Sequence, residues 1–447
     1  MDIIEVARVV SDRDLKGTIK AVFTNRNVVG MAVTTSVWSI VSMGWTPFWS
    51  MYMVNNLNIP IAILGVFSAI STSQNLLFQL PGGVLADRYG RKRVIVFGTI
   101  FRIISPIIYF FATSWQWIIV GAIIDGCSSV YMPAFTAIVA DSLPEKRRGS
   151  GYGAYNMVTT LPSLVGPIVG GYMMETYGYS DGVRIFLVLQ ALISLVITVA
   201  RYFVLEETVQ ETKTGKRPPL LPNRDMISGY PKTFNNMTIV GIIGSFSGRL
   251  VWDYTTLYAL KIIAITPVQL GLITTVTGAI SAVLALPGGM LSDRYGRKNN
   301  IMLGRTVSAF SQGFIALSTG YESYFAVRAF YAGGMAVGGS GMDVGGPSWN
   351  ALIADILPPE KRATAIGTQG TLTALFGLPS GPIGGWLWTN ISPQTPFYAS
   401  MIIGLFSAVL FWFTVNEPSK IDTSLTGPPL ENDNKQSGVD QPKDKVL

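Results

Sequence analysis

Ionisable side chains interrupt long apolar runs at only a few positions, and Arg102, Asp125, Arg249, Asp253 and Asp343 stand out among them. A charge held in hydrocarbon is costly, so each such group is a candidate for binding an ion, a proton or a charged ligand. At 1.5 Å per residue, Asp125 falls ~15 Å along its run, near the middle of a bilayer, and Arg102 lies ~12 Å from an end of its own. Arg249 and Asp253 are one helical turn apart, on one face, where they can pair. Asp343 sits in Gly338-Gly339-Ser340-Gly341-Met342-Asp343-Val344-Gly345-Gly346-Pro347, a stretch poorly suited to a continuous helix. Backbone loosened at membrane depth is tolerated where it lines a water-filled cavity. The alternative is a kink filled by neighbouring helices, with Asp343 held by Arg102 or Arg249. Arg305 and Arg328 are each ~8 Å from an end of their runs, short enough for snorkelling to the surface.

A carboxylate that changes protonation between two conformations can carry a proton, and an arginine can hold an anion. If Arg249 neutralises Asp253, the candidates for a proton carrier are Asp125 and Asp343, which have no cation within four residues on their own helices. Asp343 is favoured because its glycine-rich surroundings can open to water. The chain contains no histidine, which excludes metal sites and catalysis built on imidazole. Its single cysteine, Cys127, lies in an apolar run and reads as packing. No nucleophile–base or metal constellation is recognisable, so neither an enzyme nor a metal or cofactor is expected.

These residues must be positioned by membrane helices. The chain is 447 residues long, 49% hydrophobic and 13% charged, too apolar for a soluble protein of that size. A bilayer-spanning helix needs ~20 mostly apolar residues. Twelve such runs are found: 28–54, 60–86, 94–113, 115–140, 150–175 and 184–204, then 237–262, 267–292, 300–319, 323–354, 363–390 and 395–415. Arg88, Arg91, Lys92 and Arg93, and later Lys146, Arg147 and Arg148, fall on alternate connections, whereas 55–60 and 112–114 carry no charge. By the positive-inside rule the cationic connections and both termini are expected in the cytoplasm. The net charge of +7 therefore reads as topology, and no nucleic-acid partner is expected. The expected division is a cytoplasmic segment 1–27, a six-helix half 28–204, a cytoplasmic linker 205–236, a second half 237–415 and a disordered cytoplasmic tail 416–447. Met1–Asn27 mixes acids and bases and does not read as a signal peptide. Leu15–Phe23 reads either as an amphipathic surface helix or as a solvated lead-in.

The halves repeat one another. Leu80–Lys92 reads LPGGVLADRYGRK and Leu286–Lys298 reads LPGGMLSDRYGRK, eleven of thirteen positions being identical at an offset of 206. Ala140-Asp141-Ser142-Leu143-Pro144-Glu145-Lys146-Arg147 returns as Ala354-Asp355-Ile356-Leu357-Pro358-Pro359-Glu360-Lys361-Arg362. A third pair places Gly166, Pro167, Gly170 and Gly171 opposite Gly381, Pro382, Gly384 and Gly385. Such glycines, with Gly153, let helix backbones approach closely in lipid.

On these motifs the chain resembles the major facilitator superfamily. Gly83–Lys92 is similar to its loop 2–3 signature and Gly289–Lys298 to the loop 8–9 counterpart. The resemblance implies an all-α membrane protein: twelve transmembrane helices in two six-helix halves related by pseudo-twofold symmetry. It also implies secondary transport by alternating access. Gly83, Asp87, Arg91 and Asp141, and their copies Gly289, Asp293, Arg297 and Asp355, are then expected to gate the cytoplasmic side. Arg102, Asp125, Arg249, Asp253 and Asp343 become candidates for coupling or for the substrate cavity. Gly153, Gly166, Pro167, Gly170 and Gly171 are similar to the antiporter signature of drug:proton antiporters, with Pro162 where a glycine is usual and no arginine in span four. The leading expectation is proton-coupled efflux of amphipathic compounds by a monomer of the cell membrane, with a small-molecule substrate and a proton or other coupling ion as partners. Uptake of an organic anion or sugar, with Arg102 and Arg249 binding an anionic group, is the alternative. A non-transporting membrane receptor on the same scaffold is a third reading, disfavoured because no soluble signalling domain is recognisable.

Overall fold

The computed structural model describes residues 24–143, 148–208, 230–338, 341–342 and 344–417, which form helices joined by short turns and no strands. Leu15–Phe23, Asp343, residues 209–229 of the linker and the tail from 418 lie outside that set. So do the side chains of Asp87, Asp293, Gln74, Asn75 and Gln79.

In the first half, span one comprises Arg26–Trp45 and Trp49–Asn56, joined by a 3-10 turn over Thr46–Phe48 that contains Pro47. Span two is Ile61–Tyr89 and span three Arg91–Phe111. Span four is Trp115–Cys127 and Met132–Ser142, with a second 3-10 turn at Ser128–Tyr131. Spans five and six are Arg148–Ser163 and the long Val165–Val204, which reverses direction at Gly178, whose φ is 78°. The turn between these two spans is thus far shorter than the gap 176–183 implied by hydropathy, because one positive-φ glycine makes it.

The second half repeats the plan: Lys232–Lys261, Pro267–Tyr295, Arg297–Leu317, then Tyr321–Gly338 with Pro347–Ile356, Pro359–Gly377 with Ser380–Asn390, and Thr395–Thr414. These are spans seven to twelve. Span ten is interrupted between Gly338 and Pro347, where Gly345 and Gly346 take φ of 104° and 85°. Only one residue separates spans two and three, and likewise eight and nine. Gly90 and Gly296, with φ of 93° and 91°, make both reversals.

Three apolar cores hold the bundle. One contains Phe48, Tyr52, Leu64, Phe67 and Phe186 from the first half together with Tyr254, Tyr258, Leu270, Trp388 and Phe397 from the second. It lies at the end away from the Arg/Lys connections. The other two belong to one half each: Val28, Ile95, Tyr131, Ile138 and Tyr155 in the first, Phe234, Ile301, Trp349, Leu352 and Phe411 in the second. Both sit toward the cationic connections. Among the described residues, the halves therefore share a core at one end only.

Candidate functional site

The seam between the halves is made by span two against span eleven and by the spans five–six helix against span eight. Glycines bring the backbones together. A methyl at Gly381 would stand 2.6 Å from the Gly65 carbonyl oxygen, and one at Gly385 would stand 2.8 Å from Ala62 Cα. Methyls at Gly171 and Gly271 would each come within 2.9 Å of the backbone carbonyl carbon of Pro267 and Pro167, respectively. Thr275 donates across the seam to the Leu164 carbonyl at 2.6 Å, while Tyr254 donates within the second half to the carbonyl of Gly381 at 2.9 Å. At the rim, the Glu175 carboxylate accepts from the Val268 N–H at 3.2 Å, at the N-terminus of span eight where an anion is favoured. Gly166 and Gly170 serve a different contact, against Met43 and Gly44 of span one, and Gly384 packs on Tyr254 of span seven. The surroundings of Gly153 lie outside the described set.

The intramembrane charges do not share one environment. Arg249 donates to Thr72 Oγ1 of span two at 3.0 Å, across the seam, and its Nε is buried without a partner. It forms no ion pair with Asp253, although the two are one turn apart; the guanidinium reaches the other half instead. Asp253 interacts with the Ser68 hydroxyl of span two, and its Oδ2 is shut off from solvent with no hydrogen-bond partner. Asp125 belongs to the first half alone, where its Oδ1 accepts from Ser105 at 3.1 Å beside Tyr109. Tyr109 packs in turn at a tilt against Trp45 and Trp49. Arg102 places its Cζ 4.2 Å from the Trp38 ring centre and 5.5 Å from that of Tyr131. Arg328 is half-buried over Tyr331 at 5.5 Å.

Arg305 departs from its expected place. It does not snorkel: it is 1% exposed, donates to Ser407 Oγ at 2.9 Å and lies over Trp349 at 4.8 Å. The depth estimate failed because the side chain turns inward among spans seven, ten and twelve. The first half contains a counterpart that hydropathy concealed. Arg201, 5% exposed, donates to Thr99 Oγ1 at 3.0 Å and to Thr34 Oγ1 at 3.3 Å, over Tyr131 and Phe135. At the repeat offset of 206, Thr99 corresponds to Arg305 and Arg201 to Ser407. The same arginine–hydroxyl contact is built twice with the partners exchanged between helices. An arginine at the cationic end of a span reads as a topology marker, which is why Arg201 escapes a sequence reading.

At the cationic ends, Arg91 forms an ion pair with Asp141 and donates to Thr208 Oγ1 at 3.1 Å. Arg297 pairs with Asp355 and also reaches the Ala351 carbonyl. Both ion pairs are within one half. Two glutamates complete them. Glu207 accepts from the N–H groups of Arg91 and Lys92 at 3.0 and 3.1 Å, and Glu417 from that of Arg297 at 2.9 Å. Both carboxylates cap the helix that begins just after the positive-φ glycine, satisfying N–H groups that a helix leaves free. The repeated E-T and E-P sequences after spans six and twelve are the only signal, and it is a faint one. Gly83 is near Pro133, at 3.8 Å for an added methyl, and Gly289 has open space beside it.

Comparison with known proteins agrees with this architecture. A multi-drug resistance efflux pump of Streptococcus pneumoniae is 21% identical over 349 residues, spanning 77% of this chain and 84% of that one. An uncharacterized MFS-type transporter of Methanocaldococcus jannaschii is 25% identical over 319 residues, 70% of this chain and 77% of that one. Among solved structures, the nucleoside transporter NupG superposes with a TM-score of 0.72 at 14% identity, covering 87% of this chain and all (100%) of that one. The D-xylose–proton symporter superposes with a TM-score of 0.67 at 17% identity, covering 89% and 98%. These likenesses share a fold. The sequence profile described as Major Facilitator Superfamily matches residues 29–262 and 237–437, and the chain, with two six-helix halves joined by a glycine-lined seam, belongs to that family of transporters.

Proposed function

We propose that the protein exports small amphipathic compounds across the cell membrane by alternating access, in exchange for protons, with both termini and the linker in the cytoplasm. The observation that carries this reading is the asymmetry of the cores. One core joins the halves at the end away from the Arg/Lys connections, and separate cores stand at the other end. That is the arrangement of a carrier closed on one side and open on the other. With the cationic connections inside, it is the inward-open state.

Asp253 is the proposed coupling carboxylate. It stands on span seven against span two, and its Oδ2 is without a partner while the seam is closed. Opening the outer side separates those spans and wets the carboxylate, so its contact with solvent differs between the two facing states. A proton taken from outside and released inside would then drive the return step. Asp125 fits the role less well because its environment lies wholly within one half and is not remade when the halves move. In inverted membrane vesicles with an acidic lumen, a panel of amphipathic dyes should accumulate. Asp253→Asn vesicles should exchange dye without accumulating it. Accumulation that survives collapse of the pH gradient by a protonophore, or that is unchanged in the variant, overturns the assignment.

A further inference from the structure

Arg102 differs from the three other arginines that stand deep among the spans. Arg201, Arg249 and Arg305 each donate to a hydroxyl of another span. Among the described residues Arg102 has neither a hydrogen-bond nor an ion-pair partner, its Nε is buried and unpartnered, and it lies against the rings of Trp38 and Tyr131. A second cation stands on the same tyrosine: Arg201 lies 5.7 Å from the Tyr131 ring and repels Arg102 electrostatically. No described carboxylate forms an ion pair with either of them, and that of Asp125 is engaged by Ser105. Aromatic faces reduce the cost of a desolvated guanidinium but do not neutralise it. An arginine presents planar donors that suit a carboxylate or sulfonate.

The walls around it are aromatic as well. Trp38 belongs to span one, Tyr131 and Phe135 to span four, and Tyr155 to span five. Tyr131 packs on Phe135 at 6.3 Å and Phe135 on Tyr155 at 6.2 Å, and the Tyr155 hydroxyl is 3.4 Å from that of Thr35. All of this lies toward the cationic connections, where the halves hold separate cores. We infer that Arg102, with Trp38 and Tyr131, forms a binding site in the first half for an aromatic organic anion, whose acid group neutralises the guanidinium while its ring lies along the aromatic wall. The inference rests on the reading that the space between the halves is the substrate path. It narrows the transported class from amphipathic compounds in general to anionic ones. It also separates Arg102 from Arg249, whose guanidinium is engaged by Thr72.

The test uses two probes of nearly equal shape, 1-naphthalenesulfonate and the neutral 1-naphthalenesulfonamide, titrated against the full chain in neutral detergent. Affinity is read from the rise in thermal unfolding midpoint with ligand concentration. The wild-type protein should bind the sulfonate roughly tenfold or more tightly than the sulfonamide, the scale of a charge-assisted contact. Arg102→Gln should erase that preference while retaining sulfonamide binding, and Arg249→Gln should leave it in place. Arg102→Lys keeps the charge and loses the flat face, so it should prefer the sulfonate while binding both probes more weakly. Should Arg102→Gln not fold, the wild-type and Arg102→Lys comparisons decide. Equal wild-type affinities, no saturable sulfonate binding, or a preference that survives in Arg102→Gln overturns the site. The assay contains no membrane and no gradient, so a failure of proton-driven export would leave its outcome untouched.

Discussion

Replacing Gly381 by alanine tests whether the seam is a gate. The added methyl would stand 2.6 Å from the Gly65 carbonyl oxygen and 2.9 Å from Gly65 Cα, both backbone atoms of the opposite half. Backbone cannot swing aside as a side chain can, so the contact must open or strain. Inserting one carbon into such a fit costs about 1–3 kcal/mol. The gain in helix propensity from glycine to alanine, up to about 1 kcal/mol, applies equally whether the seam is open or closed and cancels from their ratio. At about 2 kcal/mol the closed-to-open ratio on the outer side falls about 30-fold. Spin labels on exposed Asn55 and Thr389, in a Cys127→Ser background, would report the separation of spans one and eleven at that end. The variant should shift their distance distribution toward the longer population. Gly404→Ala provides the control: its methyl would meet Met342 Sδ at 2.6 Å and Ala309 Cβ at 3.0 Å, all inside one half. It should lower the unfolding midpoint and leave the distances alone. A folded Gly381→Ala protein with wild-type distances would refute the claim that this contact closes the outer side.

Two further predictions concern the repeated contacts. Ser407→Ala and Thr99→Val each remove an acceptor from a buried arginine and should each cost about 1.5–3 kcal/mol, read as a lowered unfolding midpoint. Because the pairs are exchanged between halves, the double variant Thr99→Arg with Arg201→Ser should be more stable than Thr99→Arg alone; equal stabilities would deny their equivalence. Glu207→Gln weakens the cap on span three, which should cost about 1 kcal/mol and raise hydrogen exchange at Arg91 and Lys92 selectively. Uniform exchange across the first half would show that Glu207 acts elsewhere.

The chain's hydrophobic runs and its 206-residue repeat determine the twelve helices and their division into halves, because a bilayer leaves the backbone no other way to satisfy its hydrogen bonds. The glycine-rich run at 338–347 likewise announces the interruption of span ten, since its composition cannot sustain a helix. What lies between helices was not legible. Spacing put Arg249 and Asp253 on one face and so suggested a pair, but a long guanidinium reaches several neighbours, and Thr72 of another span holds it. Arg201 read as a charge at the membrane edge, and only the packing of spans one, three and four around it makes it a buried group. The single linking core also belongs to the tertiary structure alone. One sequence must serve both facing states, so apolar pattern specifies each half and leaves to long-range packing which end of the seam is shut.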